Sequence, residues 1–147
     1  MHVERISVSA AIYNESRNMV VGILRTNDPS DRLANLWGLP AASLSEVEDD
    51  QAAIERIGWQ KLGTTLTPVR QIGEKTAMIT DELRLTMHLW EATLSELPDF
   101  ARRNMRDSEV SQYVMWAWMM PEQLIPTAKK GSLCTQLLLK SEGIIYE

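Results

Sequence analysis

Residues 37–63 read WGLPAASLSEVEDDQAAIERIGWQKLG, an extended stretch that runs into an acidic turn and then a helix. The helix is expected over 49–62. Ser45 with Glu48 has the form of a capping box, Asp49 and Asp50 suit a positive helix start, and Gly63 suits the end. Ala53, Ile54, Ile57 and Leu62 supply an apolar face. Gly58 inside this helix costs about 1 kcal/mol relative to Ala, so it marks either close backbone packing or a weakened helix.

Strands are expected on both sides of this segment. Val3 to Tyr13 and Met19 to Leu24 are β-branched and flank a turn at Asn14 to Asn18, which reads as a hairpin. The polar run 25–36, with Asp28-Pro29-Ser30, reads as a loop bordering a cleft. Leu83, Leu85, Met87 and Leu89 alternate with Arg84, Thr86, His88 and Trp90, the period of a strand with one face in a core. Gln112 to Met120 reads as a further strand, Pro121 to Leu124 as a turn or short helix, and Ser132 to Leu139 as a last helix. No repeat or composition break divides the chain. One α/β (α+β) domain over 1–147 is expected, a mixed sheet sandwiched between helices.

Composition narrows the function. Fifteen Lys and Arg against twenty Asp and Glu give a net charge of −5, with no hint of the basic face that nucleic acid requires. The single cysteine, Cys134, excludes an internal disulfide and reads as inert core, while His2 and His88 are too few for a structural zinc. The N-terminus has no long apolar run, and Val110 to Met120 stops well short of the ~20 residues that span a bilayer. A cytoplasmic protein is expected. His88 has no recognisable triad around it, so nucleophilic catalysis is not assigned.

The segment 37–63 resembles the signature of the Nudix (MutT-like) hydrolase superfamily. Trp37-Gly38-Leu39-Pro40 matches its approach and Ala42 stands at the box glycine. Glu48 falls on the first acidic position, Arg56 on the arginine and Gly63 on the closing glycine, without a gap. The order of elements is similar over nearly the whole chain. The resemblance implies a Nudix fold and hydrolysis of nucleoside diphosphates linked to another group, with Mg²⁺ held by three glutamates after the arginine. Those positions are Ile57, Gln60 and Lys61 here. On an α-helix they share one face, and none offers the charged oxygen that Mg²⁺ prefers. Glu55 is turned about 200° away from position 57 and does not substitute. Glu46, Glu48, Asp49 and Asp50 read as caps and solvated charge; Glu74, Asp81, Glu82 and Glu91 are not placed by sequence. Glu48 with Arg56 reads as an internal brace, and as the weak catalytic pair if chemistry survives.

The expectation is therefore a degenerate box with weak or absent pyrophosphatase activity, no metal site, and binding of a nucleotide-like or anionic ligand. The alternative is an active hydrolase using carboxylates outside the usual positions, and only that reading calls for Mg²⁺. Lys61 either meets a phosphate as a point charge or is a solvated lysine complementing the helix dipole. Gln60, Trp37, Trp90, Trp116 and Trp118 complete the ligand-binding candidates, the tryptophans as cleft walls, stacking surfaces or core. Lys129-Lys130-Gly131-Ser132 precedes the last helix, where Ser132 reads as an N-cap rather than part of an anion site. The partner expected is a small, phosphate-bearing molecule, with a homodimer admitted, and neither nucleic acid nor a membrane.

Overall fold

The computed structural model describes residues 2–103 and 113–147. Strand β1 (Val3–Ala11) pairs in parallel with β6 (Leu83–Leu94) and antiparallel with the short β4 (Ala41–Ser43). Strand β5 (Leu66–Met78) closes the other side of β6, giving a mixed four-stranded sheet in the order β4-β1-β6-β5. A second, antiparallel sheet orders β3 (Trp37–Gly38), β2 (Val20–Arg25) and β7 (Tyr113–Met119). Of the strand expected from Gln112, the first residue lies outside the described residues.

Two sheets replace the single one expected, and the reason lies in the first two strands. From Ser7 onward β1 is buried on both faces, as is β2 up to Ile23. A two-stranded hairpin cannot cover four faces. The strands therefore meet only at their tip, where Tyr13 bridges Val20 and the Val21 amide donates to the Ile12 carbonyl at 2.9 Å. Beyond it each joins its own sheet. β5 escaped the sequence reading because it is an edge strand, mostly exposed, with bulges at Pro68/Arg70 and Gln71/Gly73 that break any alternation.

Helix α1 (Asp50–Arg56) and helix α3 (Leu133–Ser141) serve separate cores. Ile54, Ile57 and Leu62 pack with Val8, Ala10, Val21 and Ala92. Leu133, Leu137 and Leu138 pack with Ala11, Met87 and Leu89, and Cys134 is buried among them. Since neighbours Ala10 and Ala11 of one strand feed different cores, the helices lie on opposite faces of the mixed sheet. Between β7 and α3 the chain makes a 3₁₀ turn, Pro121–Leu124, and the short α2 (Ile125–Lys129). Among the described residues no helix is long and apolar enough to cross a membrane.

The helix over 49–62 is not uniform. Only Asp50–Arg56 is α-helical, and Ile57–Leu62 winds as a π-helix ending on Gly63 at φ 72°. Gly58 explains the change. A Cβ there would lie 2.7 Å from the Thr64 carbonyl oxygen and 2.8 Å from the Leu66 nitrogen, so backbone passes directly over this turn. The cap also differs from expectation. Asp49 is the N-cap, its side chain accepting from the Ala52 amide at 2.8 Å. Ser45 and Glu48 instead close a turn ahead of it, through Ser45 N–H to Glu48 Oε1 at 3.1 Å. Ser132 does occupy the N-cap of α3, but its hydroxyl makes no capping bond and lies 3.4 Å from Cys134 Sγ.

Candidate functional site

Arg56, the last α-helical residue of α1, organises the segment. Its Nε and Nη2 donate to the two Glu48 oxygens at 2.7 and 2.9 Å, a bidentate pair. Nη2 also donates to the Ser43 carbonyl at 2.8 Å, and Nη1 to Gln60 Oε1 at 2.9 Å. One guanidinium thus ties helix, turn and β4 together. The same bond to Arg56 holds the Glu48 carboxyl below the usual glutamate range.

Lys61 is neither solvated nor turned toward a ligand. It is only 7% exposed, and Nζ donates to the Ala41 carbonyl at 2.6 Å. The ammonium lies 5.5 Å from the centre of the Tyr113 ring. The Tyr113 hydroxyl donates to the same Ala41 carbonyl at 3.2 Å and accepts from the Ala41 amide at 3.0 Å. Burial above all, with Arg56 and Arg25 as like charges, lowers the lysine from 10.5 to about 8. Burial likewise raises the Tyr113 phenol to about 12.

The residues of the expected ligand face all point into the protein. Ile57 is fully buried in the first core, Gln60 is spent on Arg56, and Lys61 on Ala41. Mg²⁺ does not fit there. A hydrocarbon, an amide oxygen already bonded to a cation, and an ammonium cannot supply charged oxygens, and Glu48 is occupied by Arg56. Among the described residues no three His, Cys, Asp or Glu side chains are grouped to hold a metal.

The remaining acids sort by place. Glu46 and Glu55 are exposed. Glu91 accepts from Arg17 Nη1 at 2.9 Å and lies 3.2 Å from Arg70 Nη2. Asp50, expected as solvated charge, instead accepts from Trp90 Nε1 at 2.8 Å and meets His88 Nδ1 at 2.7 Å; His88 Nε2 lies 3.2 Å from Glu74. Sequence reasoning missed this group, although the strand period already put His88 and Trp90 on one face. The tryptophans are not gathered into one cleft. Trp90, Trp116 and Trp118 pack against the first core, the last two edge to face at 5.9 Å, whereas Trp37 packs against the second.

The run 25–36 does border a cavity. About 100 Å³ lies between Arg25, Arg32 and Leu33, the β3–β4 stretch at Gly38, Leu39 and Ala41, and the start of α3. Ala41 is the shared wall, its carbonyl holding Lys61. Arg25 is fixed by Asp31, Nε to Oδ2 at 2.7 Å.

Solved structures share this fold. A NUDIX hydrolase from Nitrosomonas europaea superposes with a TM-score of 0.74 at 14% identity, over 96% of this chain and 89% of its own. The chain has the Nudix fold. A MutT protein from Methanosarcina mazei gives 0.72 at 16% identity, covering 97% and 95%. An ADP-ribose pyrophosphatase from Streptococcus suis gives 0.65 at 14% identity, covering 95% and 90%. No protein-family model matches the chain, and no curated protein matches it. At these identities the likeness establishes the Nudix architecture, while activity depends on the side chains at the site.

Proposed function

We propose that this Nudix-fold protein binds a phosphate-bearing, nucleotide-like small molecule without a divalent metal, and has weak or absent metal-dependent pyrophosphatase activity. One observation carries the reading: Ile57, Gln60 and Lys61 turn inward and are consumed by packing and internal bonds. The alternative, hydrolysis by carboxylates outside the box, has less support. Glu48 and Glu91 are each already bound by arginine.

In this reading the cavity lined by Arg25 and Arg32, about 100 Å³, seats only the phosphate end of the ligand, and the nucleoside lies outside it. Arg25 and Arg32 offer guanidinium donors at its edge, which suit phosphate oxygens. Lys61 acts from behind Ala41 through its charge rather than by direct contact. Trp37 adjoins Gly38 on the cavity wall. A neighbour named as an ADP-ribose pyrophosphatase makes nucleoside diphosphates the class to try first. A cytoplasmic location, and a homodimer as an admitted assembly, belong to the same reading.

Calorimetry with ADP-ribose and ADP in EDTA tests it. Binding is expected with no dependence on Mg²⁺, and Arg25→Gln should weaken it about tenfold, about 1.4 kcal/mol. ADP-ribose cleavage that requires Mg²⁺ at ordinary enzymatic rates would overturn the proposal, as would absence of binding in EDTA.

A further inference from the structure

A second concave surface runs along the flank of α3. One lobe, about 410 Å³, is bounded by Arg32, Lys75 and Lys130 together with the apolar Met78, Ile79 and Leu133. The other, about 470 Å³, is bounded by Lys75 and Lys140 with Ile144, Ile145 and Tyr146. Lys75 and Gln136 belong to both lobes, and Lys75 Nζ donates to Gln136 Oε1 at 2.6 Å. The two lobes are therefore one groove with a polar bridge at its middle.

Its charge is one-sided. Among the described residues no Asp or Glu lines either lobe. The ion pairs among the described residues use Arg17, Arg25, Arg56, Arg70, Arg84 and Arg102, and none of the four groove cations. Arg32 is held in place by carbonyls instead, Nη1 to Lys130 O at 3.0 Å and Nη2 to Gly131 O at 3.4 Å. Four cations share this lining with no counter-charge among the described residues, in a chain whose net charge is −5. Lysines kept only for solubility need no concavity and no apolar lining. Both lobes are open to solvent, so a ligand there is held by charge more than by enclosure.

We propose that this groove is a second ligand site, which adjoins the cavity behind the box and shares only Arg32 and Leu133 with it. It takes a small molecule with an anionic group at each end, phosphate being the strongest case. Lys130 with Arg32 receives one end and Lys140 the other, while Lys75 serves both from the bridge. Once one end is seated the other binds intramolecularly, so a two-ended anion gains over a one-ended one of the same chemistry. The four cations are exposed, so the attraction falls with ionic strength.

Fructose 1,6-bisphosphate and fructose 6-phosphate are suitable probes, compared by calorimetry at low salt in EDTA. The bisphosphate should bind at least tenfold more tightly than the monophosphate. Lys75→Gln should cost the bisphosphate at least tenfold, and Lys140→Gln should bring its affinity down to that of the monophosphate. Arg25→Gln lies outside the groove and should leave both unchanged while still weakening ADP-ribose. Because Arg25, Lys75 and Lys140 each line only one of the two sites, these three variants separate failure at one from failure at the other. Amide shifts on titration should centre on Gln136 and Gly143, not on Gly38 and Leu39. Equal affinities for the two sugars, no binding, or an unchanged Lys75→Gln protein would each overturn the proposal. A glutamate-rich peptide that outcompetes the bisphosphate would replace the small molecule with an acidic protein partner, and so overturn it as well.

Discussion

Lys61→Met is the most informative single change, because it removes a charge from the middle of the box and leaves a side chain of similar length. In the folded protein the ammonium is pressed down from 10.5 to about 8, first by burial and then by Arg56 and Arg25. The unfolded chain therefore holds the proton more tightly than the folded one. Stability must rise with pH between about 8 and 10.5, where the folded protein has lost the proton and the unfolded chain has not. At 1.36 kcal/mol per pKa unit, the fall from 10.5 to about 8 amounts to about 3 kcal/mol. That penalty is present in full below pH 8 and is relieved by 10.5. The variant lacks it. It also lacks the 2.6 Å bond to the Ala41 carbonyl, a loss of about 1.5–3 kcal/mol for a charged donor, although Tyr113 still donates to that oxygen. The two terms nearly cancel at pH 7, so Lys61→Met should stay within about 1.5 kcal/mol of the wild type there. At pH 10 the variant should be clearly the less stable protein. Urea denaturation of both proteins from pH 7 to 10 measures the difference, which cancels every other titrating group. A stability difference that stays flat across that range would show that Lys61 titrates like a solvated lysine, and the buried tether would be wrong.

Two further outcomes follow from paired charges. Arg56→Met strands the Glu48 carboxylate and the buried Gln60 amide in one step, and breaking a largely buried pair from one side costs about 3 kcal/mol. The urea midpoint should fall accordingly, and Glu48→Gln added to Arg56→Met should recover part of the loss. Glu91 is held below the usual glutamate range by its bond to Arg17, so its contribution is present at neutral pH and is lost as pH falls through its lowered folded value. Glu91→Gln should flatten the acid limb of the stability curve, and a thermal-melt series from neutral to acid pH that overlays the wild type would refute this.

How much of this was legible beforehand depends on distance along the chain. The helix start, the Gly63 stop, the alternating strand at 83–90 and the cleft loop at 25–36 are local patterns, and the structure keeps them. The Glu48–Arg56 brace was reached through the family resemblance rather than from any local pattern, and the structure holds the pair as a bidentate bond. The second sheet was not, because nothing local tells β2 to leave β1. The box face misled for a subtler reason. Placing Ile57, Gln60 and Lys61 toward a ligand assumed an α-helix through to Gly63, and the close approach of Thr64 and Leu66 to Gly58 winds that turn as a π-helix instead. The glycine was visible as a cost, but the backbone that demands it comes from the following strand. The cationic groove lies further still from sequence reading. Arg32, Lys75, Lys130 and Lys140 come from four separate places in the chain, and an overall excess of acid conceals their meeting. Charge balance argued against a broad basic face, and it carried no information about a concavity only a few side chains wide. Of the four, only Lys130 drew attention in the sequence, beside the start of the last helix, and it is the shared lining, free of carboxylates among the described residues, that makes them a candidate site.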